Sequence, residues 1–110
     1  MSAVLPLAYG YLRVDLLDDE LIACEERLTA VAQDLGFELA AVFCEQPPQR
    51  ASIPPAYLEL LRECCRTQAH TVITLPGHLS GMAVPRMCLL EVLAVRAAAQ
   101  VCEVDLETGL

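Results

Sequence analysis

Arg13 and Asp15 are the side chains whose types and spacing most clearly suggest chemistry, at the end of the run Ala8-Tyr9-Gly10-Tyr11-Leu12-Arg13-Val14-Asp15. A cation and a carboxylate two residues apart on a strand could together hold a phosphate, or simply pair with each other. The ion pair is the plainer alternative. Aromatic and β-branched residues predict a strand here, and Asp15 followed by Asp18-Asp19-Glu20 predicts a helix opening at its end. Tyr11, Arg13 and Asp15 then project from one face. Arg13 and Asp15 lie at the carboxyl edge, where open α/β sheets carry their sites.

Other reactive residues assemble into less. His70 and His78 show no pairing at metal spacing, and His70, just before an expected strand, reads as a surface turn residue. Cys24, Cys44, Cys64, Cys65, Cys88 and Cys102 form no CxxC or Cys/His spacing and all fall in apolar segments. They read as buried, reduced thiols of a cytoplasmic protein. Side chains of neighbours on a helix point about 100° apart, so Cys64-Cys65 carries no expected redox role. No glycine-rich phosphate loop follows the first strand, and neither a cofactor nor a metal is expected.

The 110 residues suffice for a single domain, 1–110, with one core. Fifteen acids against seven arginines, with no lysine, give a net charge of −8 that would repel a phosphate backbone. The arginines are spread from Arg13 to Arg96, and no basic cluster is expected. At 55% apolar residues and a mean hydropathy of +0.46, the chain is more apolar than a free-standing monomer of this size requires. A partner is therefore expected. The N-terminal apolar run lacks a basic leader and is interrupted by Pro6 and Gly10, so neither a signal peptide nor a membrane span is expected.

Apolar residues at 21, 24, 28, 31, 32 and 35 predict a helix over Asp18–Leu35, closed by Gly36. Phe37–Cys44 reads as a strand ending at Glu45, before a loop through Arg50. A helix begun by Pro54-Pro55 and capped by Ser52 or Ile53 follows. Next come a strand at Thr71–Leu75, a turn from Pro76 to Gly81, a helix over Val84–Gln100 with Pro85 in its first turn, and a strand at Val101–Val104. The alternation implies a mostly parallel four-stranded sheet with helices on both faces, a three-layer α/β/α domain.

The run Tyr11-Leu12-Arg13-Val14-Asp15, the strand ending Val42-Phe43-Cys44-Glu45, the Pro54–Leu61 helix and the Thr71–Gly81 strand and turn together resemble the N-terminal domain of serine recombinases, the resolvases and invertases. The resemblance follows element order through nearly the whole chain. It implies that Arg13 helps hold a scissile phosphate. The family's usual first motif is Tyr-x-Arg-Val-Ser, so Asp15 stands where it places the nucleophilic serine. A carboxylate there would form a labile acyl phosphate and repel the phosphate beforehand. Pro54, Gly77, His78 and Gly81 stand where the family carries Arg, Asp, Arg and Arg, removing charge that phosphoryl transfer requires. Arg50 and His78 offer a weak rescue. Phospho-acceptor receiver domains also alternate β and α elements, but their aspartate after the third strand and lysine after the fifth have no counterpart here. The family's long helix and helix-turn-helix region have none either.

The expectation is therefore a catalytically inactive recombinase-like domain, not an enzyme, serving as a protein-binding or regulatory module without direct DNA binding. The alternative is residual DNA-linked function through a partner. The Val84–Gln100 helix carries two apolar stripes, separated by Arg86, Glu91 and Arg96. The sheet is expected to cover Val84, Cys88, Val92, Val95 and Ala99. Met87, Leu90, Leu93, Ala94 and Ala97 are then left to face a partner, by default a second copy in a two-fold dimer.

Overall fold

The computed structural model describes residues 5–17, 19–46, 54–82 and 84–105. Their strands form one sheet in the order β2-β1-β3-β4, every neighbouring pair parallel. In chain order the elements are β1 (Leu7–Arg13), a 3-10 turn (Val14–Leu16), α1 (Leu21–Asp34), β2 (Glu38–Glu45), α2 (Pro55–Thr67), β3 (Thr71–Thr74), α3 (Arg86–Ala97) and β4 (Gln100–Glu103). The expected three-layer parallel α/β domain is the observed architecture.

Alternation along β1 divides the core. Tyr9 and Tyr11 point toward α2 and α3, where they pack with Tyr57, Leu60, Cys64, Val72, Leu89 and Leu93. Ala8 and Leu12 point the other way, toward Leu28 and Ala32 of α1, with Ile73 beside them. Gly10 lies on this second face, and a Cβ there would come 2.8 Å from Leu28 Cδ2 and 3.1 Å from Val42 Cγ2. The missing side chain lets α1 approach the sheet. On the first face, the Tyr57 hydroxyl donates to the Leu89 carbonyl at 2.6 Å and ties α2 to α3.

The α1 terminus follows the sequence signal: Gly36 has φ +90°, its N–H reaches the Gln33 carbonyl, and that of Phe37 reaches Ala32. The helix starts at Leu21 with Glu20 as its N-cap, later than expected, because Asp15 belongs to a 3-10 turn; the expected start at Asp18 lies outside the described residues. Likewise α3 is shorter than expected: Pro85 is its N-cap with extended backbone, and Ala98 closes it in the left-handed region.

The two stripes of α3 do not divide as expected: each is split between core and surface, with Val84 and Ala99 of the first joining the core. Leu93 is fully buried with Leu89, and Leu90 and Ala97 pack partly against the same cluster, so these do not form a free interface. Of the five expected interface residues, Met87 and Ala94 are exposed. Cys88 and Val95 of the supposed core stripe also face outward. The physical reason is α2, which lies beside α3 on the same face of the sheet and turns the Leu89–Leu93 seam inward. Cys65 and Cys88 likewise depart from the expectation of buried thiols, since they lie on outer helix faces.

Gly10→Ala should lower stability by about 1–3 kcal/mol, through overpacking against Leu28 and Val42. Urea denaturation checks this, and an unchanged midpoint would show that α1 simply shifts outward.

Candidate functional site

At the carboxyl ends of β1 and β3 the chain gathers Arg13, Asp15, His78, Ser80 and Glu45. β1 ends at Arg13, so Asp15 does not share its strand face. The 3-10 turn instead folds Asp15 back onto the guanidinium. Arg13 Nη2 donates to Asp15 Oδ2 at 2.7 Å and Nε to Oδ1 at 3.3 Å, a two-point contact. Nη1 donates to the Ser80 carbonyl at 2.5 Å. The plainer alternative, an ion pair, is the arrangement observed, with side-chain exposures of 7% for Arg13 and 26% for Asp15.

The β3–α3 loop comes to the same place. Arg13 N–H donates to His78 Nδ1 at 2.9 Å, so this nitrogen presents its lone pair and neutral His78 carries its proton on Nε2. Burial, and then the Arg13 charge, push the His78 pKa down. His78 is thus a buried, neutral acceptor and supplies no cation in place of a missing arginine. The Arg13 hydrogen bonds hold Asp15 below the usual carboxylate range. Gly77 and Gly81 both have positive φ, and a Cβ at Gly81 would lie 3.9 Å from Arg13 Nη1. Of the loop positions that the resemblance singled out, His78 and Gly81 therefore lie against Arg13, and Gly77 serves the turn.

Pro54 is buried and forms the N-cap of α2 with no side-chain cap bond. Arg50 and the Ser52 or Ile53 cap lie outside the described residues. Glu45, which the sequence marked only as a strand end, takes over the capping. Its buried carboxylate accepts the Tyr11 hydroxyl at 2.8 Å and the backbone N–H groups of Ala56 and Tyr57, each at 3.1 Å. A carboxylate suits a helix N-terminus, where free N–H groups and the helix dipole favour negative charge. Burial, and then Glu45, raise the Tyr11 pKa far above the ordinary range, so Tyr11 remains a donor.

One cation therefore stands against two carboxylates, and that cation is already paired. Among the described residues no group of three His, Cys, Asp or Glu side chains could hold a metal. His70 is exposed just before β3, with Nδ1 3.2 Å from the Ala98 carbonyl.

Arg13 is almost wholly buried while Asp15 is not. Asp15→Asn should therefore cost about 1–3 kcal/mol, below the range for a fully buried pair because Asp15 is partly open to water. Chemical denaturation at neutral pH tests this value. The two shifted groups also separate by pH. His78 binds its proton less readily when folded, so stability falls once pH drops below the unfolded value of about 6.5. Asp15 contributes stability above its unfolded value of about 3.9, and that contribution is lost only as pH falls further, through the lowered folded value. His78→Asn, whose amide oxygen can still accept from Arg13, should flatten the upper part of the curve and leave the lower part. Unfolding midpoints from pH 7 to 3 read both.

No family profile and no curated protein matches the sequence. Solved structures do match. The C-terminal catalytic domain of ISC1926 TnpA, an IS607-like serine recombinase, aligns over 89% of this chain and 68% of its own, at TM-score 0.68 and 16% identity. The N-terminal catalytic domain of TP901-1 integrase aligns over 94% and 79%, at TM-score 0.66 and 18% identity. A resolvase family site-specific recombinase from Streptococcus pneumoniae aligns over 96% and 74%, at TM-score 0.66 and 15% identity. Two of these are catalytic domains of enzymes, which overturns the expectation that the chain is not an enzyme. At such identities it is the fold that is shared. This chain has the fold of serine recombinase catalytic domains.

Proposed function

We propose that this domain works within a DNA-recombination assembly as a protein-association module, meeting DNA through a partner. The observation that carries this reading is the two-point Arg13–Asp15 pair. In the resemblance Arg13 is the residue that holds the scissile phosphate, and here its charge is neutralised within the chain. An approaching phosphate would have to displace Asp15 from a geometry fixed on a third side by the Ser80 carbonyl. It would also meet a chain of net charge −8. Recombinase architecture with its phosphate-facing cation already paired suits a domain recruited through protein contacts.

A second reading is favoured by the catalytic domains among the structural neighbours. In it Asp15 is a gate, and Arg13 engages a phosphate of DNA once the carboxylate moves aside.

Duplex binding across a salt series separates the two. Each neutralised phosphate adds about 0.9 to the slope of log affinity against log salt, so a chain with a closed Arg13 should show a slope of about −1 or shallower. Asp15→Asn should leave it unchanged under the association reading. Under the gate reading the substitution frees Arg13 and steepens the slope by about one. A steep slope in the unmodified chain, or a DNA adduct that survives denaturation, would overturn the association reading.

A further inference from the structure

The outer surfaces of α2 and α3 form a cleft unconnected with the Arg13 site. Arg62 and Arg66, four residues apart on α2, share one helix face, and Arg96 reaches the same cleft from the last turn of α3. With Leu61 and Cys65 they line a volume of about 530 Å³. The Cys65 thiol donates to the Arg96 carbonyl at 3.4 Å and joins the two helices at this point. Three of the chain's seven arginines thus converge in a protein of net charge −8, where the sequence suggested no cluster. Arg66 pairs with Glu63 at 2.6 Å on the surface. The Arg62 and Arg96 side chains have no ion-pair partner among the described residues.

Arg96 also belongs to a second depression of about 230 Å³, shared with Cys88, Glu91, Val92 and Val95. Arg96 thus lines both the basic cleft and this more apolar depression. Val95 is 73% exposed.

We propose that this surface docks an acidic amphipathic segment of a partner protein, its carboxylates on Arg62, Arg66 and Arg96 and its apolar side chains on Val92 and Val95. Charge complementarity selects this occupant. A second copy docked through the same patch would set arginine against arginine in the cleft. A nucleic-acid backbone would use the arginines but leave Val92 and Val95 without a counterpart, and it would approach a strongly acidic chain.

The inference rests on the association role proposed above and gives its partner a chemistry. The test uses the full chain and fluorescence anisotropy with a labelled helical peptide bearing Glu on one face and Leu on the other. A control peptide has Gln in place of Glu, and a labelled DNA duplex is the third probe. The Glu peptide should bind, with the Gln peptide and the duplex at least about fivefold weaker. Arg62→Glu and Arg96→Glu should each weaken it about fivefold, and Val95→Ser should weaken it too, with the circular dichroism of these exposed-site variants unchanged. Absence of peptide binding, equal binding of the Gln peptide, tighter binding of the duplex, or indifference to the variants would each overturn the proposal. So would a dimer seen by light scattering that Arg96→Glu abolishes, since a second copy would then be the occupant. Failure here together with a shallow DNA slope overturns this docking site alone, whereas a steep slope overturns the association role while peptide binding is still read separately.

Discussion

Everything in this molecule is built around β1, a strand hydrogen-bonded on both edges and covered on both faces. Such a strand leaves no tolerance for size, and its residues show this. Tyr9 and Tyr11 fill the deep side beneath α2 and α3, while Ala8 and Gly10 keep the shallow side low enough for α1. Because β1 is held so firmly, the direction of Arg13 at its end is fixed as well. The loop after β3 and the turn after β1 then close around that one guanidinium.

The chemistry of the carboxyl edge follows from two carboxylates that serve structure. Asp15 neutralises Arg13, and Glu45 satisfies the Tyr11 hydroxyl and two amides at the start of α2. Both contacts join consecutive elements: a strand to its own following turn, and an edge strand to the helix that follows it. The edge that carries sites in open α/β sheets is thus also a clasp, in which buried charges are satisfied within the chain.

Periodicity made much of the fold legible. The 3.6-residue recurrence in α1 and the Gly36 stop translated directly into a helix and its cap, because both are local. The Arg13–Asp15 pair was also readable, since two residues of separation allow few geometries. Its depth of burial was not, because that depends on Ser80 and His78 arriving from the distant β3–α3 loop. The orientation of α3 failed for the same kind of reason: either stripe could have faced inward, and the choice rests with α2, which sequence spacing within α3 does not register. Glu45 was passed over because a residue at a strand end gives no indication that its carboxylate caps the next helix. The arginine cleft needed two helices to be placed side by side before Arg62 and Arg66 could meet Arg96.

The order of the strands has a consequence for how the protein comes into being. A parallel sheet contains no hairpins, so no pair of its strands can form from neighbouring residues alone. Of the two interior strands, β1 precedes both of its neighbours in the chain. A nascent chain therefore carries β1 with both edges open until β2, and then β3 beyond the α2 crossover, have emerged. Long crossovers of this kind close slowly compared with local contacts. During that interval β1, with its two core tyrosines, needs protection from other chains.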